Sequence, residues 1–351
     1  MSNQANLNNV PESPTTDDGD SLLDGEFPSP NISRSSTISG DSVLFGHRRS
    51  SLKRVIFEKF QVEKCTLHED RLRPSPKLFN SNLGEELGAG SQGVVYKATS
   101  AEFGNSDQLL AVKMPNESAD ELNEINSAAL LCGLIHPNVV KHLGTTDVGG
   151  KVGLVMEFQA GGTLEDAIRA AELPIKGILD AAADIAQGLA YLHGEGHVHT
   201  ELKSSNVLKD NVGVFKIADF GAAHFDMDDG GRWVPVYGTS LYSAPELLHV
   251  SAHVPAPPEA PEQGMAYVTT AADIWTLGLL IIEMATRRPP IKIVPDTKEP
   301  DFKSLTIPDL GNSGLNDLVA NCLKFTAEER PTAEEVVNSL GQISRDAGIA
   351  A

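Results

Sequence analysis

Cysteine is scarce in this chain. Cys65, Cys132 and Cys322 are the only three in 351 residues, far apart and without a Cys-x-x-Cys or metal-ligand spacing. That argues against a disulfide framework or a sulfur-bound metal, and makes a reducing compartment the expectation. Long apolar runs are missing as well. The strongest, Leu277 to Ile282, is too short to span a bilayer and is followed by Glu283. The opening MSNQANLNNVPESPTTDDGD has neither the basic start and apolar core of a secretory signal nor a glycine after the initiator, so a cytoplasmic chain with no membrane partner is expected. Basic charge is in short supply: 28 Lys and Arg stand against 48 Asp and Glu, a formal net charge of -20. Such a field repels phosphates and excludes a general nucleic-acid binder, leaving neutral or basic partners. Aromatics are few, at 5%, yet 40% hydrophobic residues suffice for a core.

What is present divides the chain in two. Residues 1 to about 45 are rich in Ser, Pro, Asn, Gly and acids with no repeating apolar face, and are expected to be disordered. Charge reverses in the basic stretch 47–54, where Arg48, Arg49, Lys53 and Arg54 precede Val55, Ile56 and Phe57. That stretch suits a basic-directed modification at Ser51, a docking peptide, or a plain solvated linker. From about residue 80 the pattern becomes apolar, β-branched and punctuated by turns: NLGEELGAG, GVVYKAT, LLAVKMP, VVKHLGTT and VGLVMEF read as five strands, with a helical stretch Ser118 to Leu134 between the third and fourth. Beyond Gly162 the period is helical, with Ile178, Ile185, Leu189 and Leu192 on one face. Later helices are read over Asp273 to Thr286, Gly314 to Leu323, and from Thr332, which with Glu335 forms a capping-box pattern.

Gly88, Gly90 and Gly93 make a Gly-x-Gly-x-x-Gly followed by Val95. Glycines let a backbone approach phosphate oxygens with no Cβ in the way. The same spacing marks dinucleotide-binding folds, but there a helix follows at once, whereas here GVVYKAT continues as a strand toward Lys113 in AVK. Downstream come HVHTELKSSNVL, VFKIADFGAA, GTSLYSAPE, DIWTLG and ERPT, in that order. With these motifs the chain, over about residues 80 to 343, resembles the eukaryotic protein kinase family. LVMEFQAGGTLEDAI and LGLLIIEMATRRPP look most like MAP kinase kinase kinase relatives, and the tyrosine-kinase-like branch shares such stretches.

The resemblance implies an α+β fold of two lobes. A small β-rich N-lobe would cover about 76–158 and a larger helical C-lobe about 163–345, with a Pro/Ala-rich insertion about 250–268 and a tail over 1–75. It implies ATP and Mg2+ as cofactors. Leu87, Gly88, Ala89, Gly90, Gly93, Val95, Ala111 and Lys113 would hold the nucleotide with the hinge Met156, Glu157, Phe158 and Gln159. Asn206 and Asp219 would hold metal, and Lys203 would steady the transferred group, a lysine at that place pointing to the serine/threonine branch. Glu246 and Arg330 would be a structural ion pair. A protein substrate is the implied partner, with an upstream or docking partner engaging the N-terminal tail.

Two departures bear on activity. His199-Thr200-Glu201 stands where the family has His-Arg-Asp, so the base position keeps a carboxylate but gains a methylene, and Thr200 replaces the arginine that pairs with a phosphorylated activation loop. In keeping with that loss, the stretch from Ala222 to Tyr237 contains no serine or threonine. The glutamate expected to pair with Lys113 falls, by helix spacing, on Ser127, with Glu124 one turn earlier as the substitute. Two readings stay open: a protein kinase of normal or reduced activity, and a pseudokinase scaffold that binds ATP or partners without efficient transfer.

Overall fold

The computed structural model describes residues 77–90, 93–100, 109–116, 131–171, 173–220, 231–235, 241–248, 265–293, 300–302 and 305–349. The tail, the basic stretch 47–54 and Glu124 lie outside the described residues. The described residues from Lys77 to Glu157 include one sheet, built from β1 (Lys77–Phe79), β2 (Ser81–Gly90), β3 (Gly93–Ser100), β4 (Leu109–Pro115), β5 (His142–Val148) and β6 (Lys151–Glu157). Its order is β1-β5-β6-β4-β3-β2. The five runs read from sequence are β2 to β6, paired antiparallel. One strand has no counterpart in that reading: β1 lies parallel to β5, Lys77 opposite Gly144 and Phe79 opposite Thr146.

Two glycines show how closely this sheet is fitted. At Gly93, φ is +152° and a Cβ would lie 2.2 Å from the Met114 carbonyl oxygen. At Gly144, φ is +156° and a Cβ would come within 2.1 Å of the Lys77 carbonyl oxygen and 2.8 Å of the Phe79 ring. Only glycine admits both conformation and contact, so Gly144 is what lets β1 dock. Thr146 Oγ1 fastens that docking, donating to the Phe79 carbonyl at 3.0 Å and accepting from the Ser81 amide at 3.3 Å. Phe79 then joins Ala98, Leu110, Val112, Met114 and Val155 in the core of the sheet.

The C-terminal half is helical. α1 (Leu164–Arg169) starts at a capping box in which Asp166 N–H donates to the Thr163 hydroxyl and Thr163 N–H donates back to the Asp166 carboxylate. α2 (Ile175–Gly194) buries Ile178, Ile185, Leu189 and Leu192, the face expected from the sequence. The short strands β7 (Val207–Lys209) and β8 (Phe215–Ile217) form a hairpin. β9 (Arg232–Pro235) pairs antiparallel with β10 (Met265–Val268). Of the Pro/Ala-rich insertion read over 250–268, residues up to 264 lie outside the described residues, and its last four form β10, with Ala266 and Val268 fully buried. Their small and β-branched side chains face the core from a strand, which a Pro/Ala-rich composition does not announce. α3 (Ala271–Thr286) is apolar almost all round and is buried from Ala272 to Met284, as a central helix must be. α4 (Ser313–Cys322) and α5 (Ala333–Asp346) close the core, and α5 begins at the Thr332/Glu335 capping box. Among the described residues no helix is long and apolar enough to cross a membrane.

Candidate active site

The site lies where the sheet meets the β7–β8 hairpin. Val95 from β3, Ala111 from β4 and Met156 from β6 converge with Val140, Leu208 and Ala218 into one apolar cluster. It is walled from above by the sheet and floored from below by β7. Gly88 of β2 lies opposite Val95 of that cluster, with Ala89 opposite Val94 and Gly90 opposite Gly93. A Cβ at Gly88 or Gly90 would meet no protein atom within 4 Å. Packing among the described residues therefore does not require glycine at either place, and the backbone there is open to a ligand. Leu87, at the same strand end, is 44% exposed.

Lys113 reaches from β4 across the cluster to Asp219, Nζ to Oδ1 at 2.6 Å, joining residues 106 apart in sequence. Burial pushes the Asp219 carboxyl up, but the Lys113 charge and hydrogen bond outweigh this and hold it below the usual carboxylate range. Asp219 has φ +60°, a strained backbone costing on the order of 1–3 kcal/mol. Its neighbours hold it there. The His199 Nε2 lies 2.9 Å from the Ala218 carbonyl oxygen, to which it donates, and the Ala218 amide donates to the Asn206 carbonyl at 2.8 Å. Phe220 is 3% exposed and packs between the rings of His199 and His142, at centroid distances of 5.1 and 5.7 Å.

The loop that carries Glu201 hangs from α3. Asp273, fully buried in the first turn of α3, accepts from the His199 and Thr200 amides and from His193 Nε2, each at 2.9 Å. Burial raises its pKa; the His193 hydrogen bond and charge, then the charge and amide of His199, reverse this and leave it below the ordinary value. These bonds compel Thr200 into φ +61°, unusual for a β-branched residue. Glu201 Oε1 then accepts from Lys203 Nζ at 2.8 Å, and Asn206 Nδ2 donates to the Glu201 carbonyl at 2.9 Å. Glu201 and Lys203 are both about one third exposed, at 29% and 32%, so the pair is partly open to solvent.

Asp219 Oδ2 and Asn206 Oδ1 make no hydrogen bond among the described residues. Both are hard oxygen donors of the kind magnesium takes, and Lys113 beside them completes a setting for a triphosphate. The residues present thus fit ATP with a divalent cation.

The structure brings Val95, Ala111, Lys113, Met156, Lys203, Asn206, Glu201 and Asp219 to one place. It turns the Glu157 carboxylate elsewhere: Oε1 accepts from Lys216 Nζ and from the Lys141 amide, each at 3.0 Å. Glu157 is therefore a brace between β6 and β8 through its side chain, leaving only its backbone for a ligand. Phe158, carrying Lys97 Nζ 5.3 Å above its ring, and Gln159 border a separate cavity with Leu109, Asp210 and Asn211, on which none of Lys113, Asn206 or Asp219 opens. Sequence reasoning missed Val140, Leu208, Ala218 and His142. Leu208 was within reach, two residues after Asn206 on a strand; His142 carries no local signal for its place behind Phe220. The second anchor, Glu246 with Arg330, is a bidentate pair at 2.6 and 2.8 Å. Arg330 also donates to the carbonyls of Ala271, Lys324 and Phe325 at 2.9, 2.8 and 3.1 Å, so all five of its donors are used.

The sequence is similar to those of known proteins. Over 285 residues the chain is 32% identical to Serine/threonine-protein kinase cst-1 of Caenorhabditis briggsae, covering 78% of this chain and 52% of that protein. Over 280 residues it is 31% identical to Serine/threonine-protein kinase 4 homolog A of Dictyostelium discoideum, covering 77% and 56%. Over 270 residues it is 30% identical to MAP3K epsilon protein kinase 1 of Arabidopsis thaliana, covering 73% of this chain and 18% of that protein. The chain thus spans between about a fifth and just over half the length of these curated relatives. The family model described as Protein kinase domain matches residues 81–340, the stretch that holds the sheet, the glycine hairpin, Lys113, Glu201 and Asp219, and the chain belongs to that family.

Proposed function

We propose that the chain is a serine/threonine protein kinase that moves the γ-phosphoryl group of ATP to a protein hydroxyl, acting in a reducing, cytoplasmic setting as part of a signalling sequence. The observation that carries the reading is the Lys113–Asp219 contact of 2.6 Å set directly beside Glu201, Lys203 and Asn206. Bound ATP with magnesium supplies the transferable phosphoryl group and the cationic charge that stabilises its oxygens. Val95, Ala111, Met156 and Leu208 enclose the base and exclude water from it. Lys113 holds the phosphates, and Asp219 and Asn206 present their oxygens to the metal. Glu201 accepts the proton of the attacking hydroxyl, and Lys203 fixes the direction of that carboxylate. The serine/threonine assignment rests on Lys203 two residues after the base and on the names of the relatives.

The rival reading, a nucleotide-binding scaffold, rests on the extra methylene of Glu201, since a misplacement of about 1 Å can cost roughly a hundredfold in rate. Transfer of labelled phosphate to the chain and to a basic protein, with wild type and Asp219→Asn side by side, separates the two. Transfer that disappears in Asp219→Asn supports the enzyme. Absence of transfer in wild type, with melting still raised by magnesium-ATP, supports the scaffold and overturns the proposal.

A further inference from the structure

Between Asp219 and Glu246 the activation segment has to be held still for a protein acceptor to dock, and the residues that hold it are visible. At its far end Glu246 is locked to Arg330, the Tyr242 hydroxyl donates to Glu283 at 2.8 Å, and Thr276 Oγ1 donates to the Tyr242 carbonyl at 3.0 Å. In its middle the segment becomes β9 and pairs over four residues with β10, Arg232 opposite Val268 and Pro235 opposite Met265. The inner face of this ribbon is core: Val234, Ala266 and Val268 are at most 4% exposed. Val234 and Val268 cluster with Ala244 and with Trp275 and Leu279 of α3. The outer face bears a cross-strand aromatic pair, Trp233 opposite Tyr267, ring centroids 5.4 Å apart and edge to face. Gly231 makes room for it, since a Cβ there would lie 2.5 Å from the Tyr267 ring. The stretch from Ala222 to Tyr237 has no serine or threonine that a phosphate could use as an alternative fastener.

We propose that the β9–β10 ribbon, closed by the Trp233–Tyr267 pair, is a built-in fastener that positions the activation segment for the protein acceptor without phosphorylation of that stretch. The inference rests on the kinase reading for its kinetic consequence, but the fastening itself is independent of catalysis. Antiparallel pairing gives the segment a partner strand, the buried valines tie that strand to α3, and the aromatic pair fixes its register. Because α3 also holds Asp273, and through it the loop of Glu201, the acceptor platform and the base share one support. Trp233 and Tyr267 are thus positioning residues, acting on the acceptor side and not on the nucleotide.

The test uses the full chain as wild type, a Trp233→Ala/Tyr267→Ala double variant, Tyr267→Phe and Gly231→Ala. Amide hydrogen exchange is read over 231–235, over 265–268 and, as an internal standard, over α3, before and after exhaustive phosphatase treatment. Kinetics are read separately for ATP and for a basic protein acceptor. The expected result is slow exchange of the ribbon in wild type, unchanged by phosphatase. In the double variant and in Gly231→Ala, whose Cβ presses on the Tyr267 ring, ribbon exchange should be at least about tenfold faster while α3 stays protected. Tyr267→Phe, which keeps the ring, should restore wild-type behaviour. The acceptor KM should rise in the double variant with the ATP KM unchanged, and Tyr237→Phe should leave transfer as in wild type. Should the double variant lose α3 protection as well, Gly231→Ala decides. Ribbon exchange equal in wild type and Gly231→Ala overturns the proposal, as does wild-type protection that vanishes on phosphatase treatment. If wild type shows no transfer while the ribbon behaves as expected, the kinase reading fails and the fastener stands.

Discussion

The two lysine–carboxylate pairs of the site are built on different scales. Lys113 with Asp219 joins two halves of the fold across 106 residues, the lysine side chain 12% and the aspartate 32% exposed. Lys203 with Glu201 joins residues two apart on one loop, each about one third exposed. The first pair exists only if the sheet sits correctly on the hairpin, so it reports the state of the whole domain. The second persists whenever its own loop is intact. The long-range pair thus depends on how the sheet meets the hairpin, whereas the short-range pair lies next to Thr200, in the loop that Asp273 of α3 holds by its amides.

That contrast can be broken at several strengths. Asp219→Asn should have the largest effect, lowering transfer by about a thousandfold or more, because the Lys113 ion pair is lost together with the carboxylate that the proposed function assigns to the metal; single-turnover phosphate transfer measures it. Glu246→Ala leaves the Arg330 charge buried and unpaired, and should cost about 3–5 kcal/mol with little direct effect on nucleotide binding, read by urea unfolding. His142 gives a pH signature. Burial pushes its pKa down to about 4 from 6.5, so the unfolded chain takes up the proton more readily. Stability should then be fully present above about pH 6.5 and be lost as pH falls toward 4, by about 3 kcal/mol in all. His142→Phe should flatten that slope relative to wild type between pH 7 and 5, a range in which the depressed carboxyls of Asp219 and Asp273 contribute little because they titrate lower. Glu201→Asp sharpens the comparison directly: the local pair tolerates a shortened side chain, and transfer should rise about tenfold while Glu201→Gln falls to background. The smallest effect belongs to Glu157→Gln, which keeps an accepting oxygen but loses the charge of the ion pair with Lys216 and should cost about 1 kcal/mol or less, with the ATP KM unchanged if only its backbone meets the nucleotide.

The sequence made legible whatever is encoded within a few residues. The glycine hairpin, Lys113 in its strand, Asn206 and Asp219 at their spacings and the capping box at Thr332 are local patterns, and the chain folds them as read. What stayed hidden was pairing between distant stretches. Lys77 to Phe79 is too short to show a period, and its place beside β5 depends on Gly144 and Thr146, more than sixty residues away. Trp233 and Tyr267 meet across a segment whose Pro/Ala composition suggests only a loop. The Glu157 carboxylate could not be oriented until Lys216 was seen to face it. The question of which glutamate serves Lys113 falls on residues outside those described, so Glu124 remains a proposal that Glu124→Gln, read as transfer rate, would test.

One consequence of β1 is practical. The family match begins at Ser81, immediately after that strand, so a fragment cut to the family boundary would retain every residue of the site while stripping the cover from β5. A bare strand edge invites another chain to pair with it. The truncated protein should therefore be the one that self-associates and precipitates, and expression from before Lys77 should yield the better-behaved molecule.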